Sequence, residues 1–169
     1  MSGNVTILSR LRIQPLPSLS SLYMLSSSIK GVVGYNDFAL GINLISPRTM
    51  ATMNMLYRKK KGPTDILSFS ALSKLENKND KIINNIDKDL GDLHICPQLI
   101  TKDASKASID LETHWQRILI HGILHLIGYD HEKDDDFIKM RLEEERVYKI
   151  LIKENNNHHL PRLFNNQYL

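Results

Sequence analysis

The chain has 169 residues and a formal net charge of +3, with 41% hydrophobic and 24% charged residues. That is one domain's length with an ordinary soluble balance, and no apolar run approaches the length that spans a bilayer. The lone cysteine, Cys96, excludes an internal disulfide and a cysteine pair for a metal, and it fits a reducing, intracellular compartment.

Residues 1–36 hold eight serines and no Asp or Glu, a composition shared with mitochondrial transit peptides. Folded structure is the favoured reading. Val5, Ile7, Leu11 and Ile13 suit a first strand, and Leu19, Leu22, Leu25 and Ile29 recur at helical spacing after Pro17 and a possible Ser18 cap. Phe38 to Ile45 has few polar positions and reads as a strand inside a sheet. Ser46-Pro47 starts a helix in which Met50, Met53, Leu56 and Tyr57 form the expected buried stripe. Arg58, Lys59, Lys60 and Lys61 fall at its end, before Gly62-Pro63 stops it. Cations there complement the helix dipole, and a basic run beside a cleft would also suit a polyanion.

Pro63 to Phe69 makes a turn and a short strand, Ser73 to Asp89 reads as an exposed, mobile loop, and Leu90 to Cys96 is another strand. Pro97 opens a helix toward Ser105, and His94 and Cys96 on one side of the preceding strand favour packing over metal ligation. Asp110 caps a long helix surrounded by Trp115, Ile118, Leu119, Gly122, Ile123 and Leu126, which should therefore be largely buried. Asp134 caps a last helix with Phe137, Met140, Val147 and Leu151 as its apolar stripe, and His158 and His159 read as solvated. These elements predict an α+β fold, a small mixed sheet flanked by helices around one buried central helix. One domain is expected over residues 1–152, with residues 153–169 as a flexible tail.

The central helix carries the chemistry. His121 and His125, four apart, present two imidazoles on one helical face. Gly128 can end the helix and turn the chain so that His131 reaches the same ion. Three ligands leave one position open, as catalytic rather than structural zinc sites do. The spacing matches the metzincin proteases, but Gly122 stands where they carry the general-base glutamate, so the ligand pattern is present without the peptidase base. The buried imidazoles need partners for their second ring nitrogens, which Asp130 or Asp92 could supply, with a turn role as the equal alternative for either aspartate.

Together, Met53-Asn-Met-Leu-Tyr-Arg58, Pro63-Thr-Asp-Ile-Leu-Ser-Phe69, Leu90-Gly-Asp-Leu93 and His121 to His131 resemble the YbeY family of single-strand-specific, metal-dependent endoribonucleases that mature ribosomal RNA. The resemblance covers roughly residues 38–150. It implies zinc on His121, His125 and His131, a functional Arg58, and association with single-stranded ribosomal RNA, the small ribosomal subunit or its assembly factors. A bacterial cytoplasm fits the resemblance and the lone cysteine, while the acid-free, serine-rich start permits a mitochondrial matrix. Ser70 replaces the family's usual proline, and Ser46-Pro47 replaces a commonly acidic pair. On this reading Arg58 would hold the phosphate while the ion polarises it or activates water, with attack by the neighbouring ribose hydroxyl as the alternative. Two competing functions are a non-catalytic, metal-stabilised ribosome assembly factor and a metalloprotease.

Overall fold

The computed structural model describes residues 3–9, 11, 16–72, 88–131 and 133–156. Among these residues, four strands and five helices follow the order β1 (Val5–Ser9), α1 (Leu19–Val32), β2 (Ala39–Leu44), α2 (Pro47–Arg58), β3 (Ile66–Ser70), β4 (Asp89–Ile95), α3 (Pro97–Ala107), α4 (Leu111–Leu126) and α5 (Asp134–Asn156). One mixed sheet runs β1-β2-β4-β3. β2 lies parallel to both β1 and β4, and β3 closes the edge antiparallel to β4. The expected mixed sheet with flanking helices is therefore the observed fold, with β2 in its interior.

Period-two alternation divides the sheet into unequal faces. On one, Leu40, Ile42 and Leu44 from β2, Leu93 and Ile95 from β4 and Ile66 from β3 are buried together with Leu22, Leu25 and Ile29 of α1 and Leu119 and Ile123 of α4. The other face carries a small cluster in which Met50 of α2 meets Leu67 and Cys96, while Leu8 of β1 stays 61% exposed. α5 lies against α4 and α1, adding Met140, Val147 and Leu151 to the main core.

Several local expectations need correction. β1 stops at Ser9 without reaching Leu11, and Ile13 lies outside the described residues. Ser18 sits at the start of α1 but makes no side-chain capping bond, because its hydroxyl pairs with that of Ser20 at 2.7 Å. The apolar stripe of α2 is much narrower than its periodicity predicts: Leu56 and Tyr57 are 57% and 59% exposed, and the buried residues are Met50 and Asn54. The buried contact of α2 is made by Met50 against Leu67 and Cys96, while Tyr57 of the last turn meets Phe69 edge to face and leaves most of its ring in water. Phe137 likewise lies half exposed at the start of α5. The loop expected between Ser73 and Asp89 falls largely outside the described residues, with Asp89 already in β4. The tail expected from residue 153 lies outside them beyond Asn156, where α5 ends.

Candidate metal centre and its cleft

α4 is held firmly before it presents any ligand. The Asp110 carboxylate accepts the Thr113 N–H at 2.9 Å, capping a free amide of the first turn. Trp115, Leu119, Ile123 and Leu126 are fully buried beneath it. Two serines of β3 fasten its other end: the Ser68 hydroxyl donates to the Gly122 carbonyl at 3.2 Å, and Ser70 donates to the Leu126 carbonyl at 2.7 Å. The departure at Ser70 thus contributes a bond from the sheet to the ligand helix, which a proline could not make.

The helix ends as the glycine predicts. Gly128 has φ +97, a left-handed conformation that L side chains rarely adopt. Its N–H donates to the His125 carbonyl at 3.2 Å, and the Tyr129 N–H reaches the Leu124 carbonyl at 3.0 Å, the paired bonds of a Schellman stop. The Asp130 carboxylate then accepts the His131 N–H at 2.7 Å. This turn folds His131 back over α4, so that one nitrogen from each of His121, His125 and His131 lies within 4.8 Å of the others. His121 and His125 are half-buried and His131 is exposed at the mouth.

The donor chemistry fits a cation. His125 Nδ1 sits 2.9 Å from the Tyr129 carbonyl, which can only accept, so Nδ1 carries the proton. His121 Nδ1 lies 2.8 Å from Glu144 Oε1 and donates to that carboxylate. The two Nε2 atoms are thereby left facing each other at 3.1 Å with their lone pairs available. Two ligands around a tetrahedral zinc with bonds of about 2.0–2.1 Å would be about 3.3 Å apart. A divalent ion would relieve a repulsion that two imidazoles with both protons on Nδ1 cannot resolve by hydrogen bonding to each other. Burial, reinforced by the neighbouring His121, holds the His125 pKa below its usual value and favours the neutral, ligating form. For Glu144, burial is the largest influence and acts upward. The bond and charge of His121, with help from Arg141 and His125, outweigh it and leave the carboxyl below its ordinary value.

The ring partner of His121 is Glu144, and of the two aspartates offered by the sequence neither takes that role. Asp130 instead serves the backbone of His131. Asp92 is exposed on the opposite face from Leu93, beside Asn43 at 3.5 Å, and does not join the histidines. One signal could have found Glu144. It occupies the same helical stripe as Met140, Val147 and Leu151, so it is a carboxylate among otherwise buried apolar positions.

The three histidines line a cleft of about 490 Å³ together with Tyr57, Arg58, Thr64, Asp65, Ser68 and Phe69. Arg58, at the end of α2, is exposed, and among the described residues no carboxylate pairs with it. Its turn is anchored by Asn54, whose side-chain amide donates to the Gly62 carbonyl at 2.8 Å and whose backbone carbonyl accepts the Lys59 N–H. Lys59 Nζ donates to the Leu56 carbonyl at 3.0 Å, so this member of the basic run satisfies a helix end. Across the cleft, Asp65 Oδ1 is held by the Ile66 N–H at 2.8 Å and the Thr64 hydroxyl at 2.9 Å. His94 stays out of the histidine group and packs edge-on against Phe69 at 5.3 Å, and Cys96 is fully buried.

Gly122 faces the sheet. A Cβ there would stand 2.4 Å from Ile66 Cδ1 and 3.0 Å from Leu93 Cδ2. A side chain at this position would enter the core rather than the cleft, so the position of the metzincin glutamate is closed to a catalytic base.

A mixed sheet supporting three converging imidazoles, with an exposed arginine lining the same cleft, defines a small α/β protein whose histidine group could hold a metal ion. A family model described as Endoribonuclease YbeY matches residues 23–152. The endoribonuclease YbeY of Buchnera aphidicola subsp. Baizongia pistaciae is 38% identical over 135 residues, covering 79% of this chain and 81% of its own. The Francisella tularensis subsp. tularensis protein of the same name is 33% identical over 122 residues, covering 72% and 70%. The solution structure of TM1509 from Thermotoga maritima shares the fold, with a TM-score of 0.52 and 23% identity over 89% of this chain and 93% of that one. The chain belongs to the endoribonuclease YbeY family.

Proposed function

We propose that this chain is a zinc-dependent, single-strand-specific endoribonuclease that processes ribosomal RNA and works with the small ribosomal subunit or its assembly factors. Family membership supports cleavage of RNA. The observation that carries the mechanism is the convergence of His121, His125 and His131 in a cleft that Arg58 also lines. The three histidines would hold the metal through the nitrogens that Glu144 and Tyr129 leave free. When bound, a divalent ion there supplies Lewis acidity toward a phosphoryl oxygen and activation of water near neutral pH.

Arg58 holds the scissile phosphate. Its planar guanidinium can donate two parallel hydrogen bonds to phosphoryl oxygens and stabilise the charge that grows on them. The protein need not supply a carboxylate base at Gly122, where the core leaves no room for one. Attack by water and attack by the neighbouring ribose hydroxyl are separated by product ends, since a 2′,3′-cyclic phosphate requires the second. Among the described residues no helix is long and apolar enough to cross a membrane.

The test compares wild type, His125→Ala and Arg58→Ala on a single-stranded ribosomal RNA fragment, with the metal in each preparation identified by mass spectrometry, because zinc, nickel and copper all accept imidazole. His125→Ala loses metal and cleavage. Arg58→Ala keeps metal and loses cleavage. Equal cutting by all three overturns the proposal and favours the non-catalytic assembly factor, whose RNA binding would persist without a metal and weaken steeply with salt.

A further inference from the structure

We propose that Tyr57 is the seat for an unpaired nucleobase of the substrate strand, and that this contact is a source of single-strand selectivity. The inference rests on the endoribonuclease reading of the cleft and adds to it a site for the base. Tyr57 directly precedes Arg58 and lines the same cleft. It is 59% exposed although helical periodicity assigns it to the buried stripe of α2. An aromatic side chain left in water beside a reaction cleft is a surface for a flat apolar partner.

The ring is also braced. Phe69 meets Tyr57 at 4.9 Å and 73°, and His94 meets Phe69 at 5.3 Å and 84°. Edge-to-face packing fixes a ring from one side. Phe69 itself stands on β3, the strand fastened to α4 through Ser68 and Ser70, so the platform and the histidines share one rigid support.

The chemistry of the neighbours identifies the ligand. Arg58, one residue on, suits a phosphate, and Lys60 and Lys61 are exposed beyond it. Cations that follow a backbone, interleaved with an aromatic surface, are the recurring device for single-stranded nucleic acid. A base can lie on Tyr57 only when both its pairing partner and one stacking neighbour are gone. A duplex offers phosphates to Arg58 but no free base face to Tyr57, and it therefore forfeits this contact. Stacking accepts any base, so the site selects for strandedness rather than for sequence.

The test measures binding by fluorescence anisotropy with the full-length, metal-loaded protein. The probe is a short single-stranded oligonucleotide, 2′-O-methylated and phosphorothioate-linked to resist cleavage. Tyr57→Ala and Tyr57→Leu should each bind about 5- to 150-fold more weakly than wild type, and Tyr57→Trp should bind at least as well. Tyr57→Leu keeps an apolar contact for Phe69, which separates stacking from local packing. An abasic nucleotide placed in turn along the probe should weaken wild type at one position and leave Tyr57→Ala unchanged there. Affinity for the same sequence as a duplex should be equal in all variants. The proposal is overturned if Tyr57→Ala binds the single strand as wild type does, or if abasic positions weaken both proteins equally. Should wild type bind and cut single strands while Tyr57→Ala matches it, only the base seat fails. Should wild type neither bind nor cut, the endoribonuclease reading fails with it.

Discussion

Replacing Gly122 by alanine tests how closely the ligand helix must approach the sheet. The added methyl would meet Ile66 Cδ1 at 2.4 Å and Leu93 Cδ2 at 3.0 Å. Both atoms are ends of flexible side chains, so the cost is a local repacking of about 1–3 kcal/mol. Alanine returns about 1 kcal/mol through its better helix propensity. The net loss for Gly122→Ala is therefore roughly 0–2 kcal/mol. Ile66→Val removes the atom nearest the clash and alone costs about 0.5–1.5 kcal/mol. Because the smaller side chain makes room for the new methyl, the double variant should be more stable than the sum of the singles by roughly 1 kcal/mol. Urea unfolding of the four proteins in this cycle measures the coupling. Additive losses would refute the argument that contact with Ile66 sets the approach of α4. Gly122→Glu should lose several kcal/mol by burying an unpaired carboxylate and should gain no peptidase activity.

Three further outcomes follow from the same contacts. Glu144→Ala should weaken metal binding about 10- to 100-fold by removing the acceptor for His121 Nδ1, with Glu144→Gln closer to wild type because its amide oxygen still accepts. Competition with a chromophoric chelator measures this, and unchanged affinity in Glu144→Ala would show that the carboxylate does not orient His121. Ser70→Ala should cost about 1 kcal/mol by leaving the Leu126 carbonyl without its hydroxyl donor, a fall of roughly 2–4 °C in Tm by scanning calorimetry. Burial raises the Cys96 pKa, so iodoacetamide should label the unfolded chain and spare the native one. The sign of the linkage follows: the unfolded thiol ionises first, so the Cys96 contribution to stability is intact below the ordinary thiol pKa of about 8.5 and declines as pH rises above it.

The histidine block was legible because its requirements are local. Helical spacing puts His121 and His125 on one face, and the left-handed Gly128 returns the chain with His131, all through bonds within a few residues. The partner of His121 was not legible in that way, because Glu144 arrives from 23 residues further on. Its position depends on how α5 crosses α4, which no local rule specifies. Asp92 failed as a candidate for a related reason. Alternation says that Asp92 and Leu93 face opposite ways, but only the docking of α4 over Leu93 decides which faces the histidines. Interior placement of β2 was readable because its even positions, Leu40, Ile42 and Leu44, and its lack of charge both require cover.

α2 shows where periodicity misleads and why the error is informative. Met50, Met53 and Tyr57 follow helical spacing, yet a stripe is buried only where another element lies beneath it. β3 is the edge of the sheet, and there Met50 is fully buried against Leu67 and Cys96, while Tyr57 has Phe69 on one side and water on the other. The consequence is a division of labour within one cleft. His121 and His125 stand on a buried helix, capped at Asp110 and fastened by Ser68 and Ser70, where small displacements would change ligand geometry. Arg58 and Tyr57 stand on an overhanging turn, open to water and anchored through Asn54 and Phe69. On the proposed function, a polymer strand would reach that rim without entering the core, and its phosphate would then face the rigid helix. The exposure of Tyr57 and Arg58 is thus what the short reach of the sheet contributes to the site.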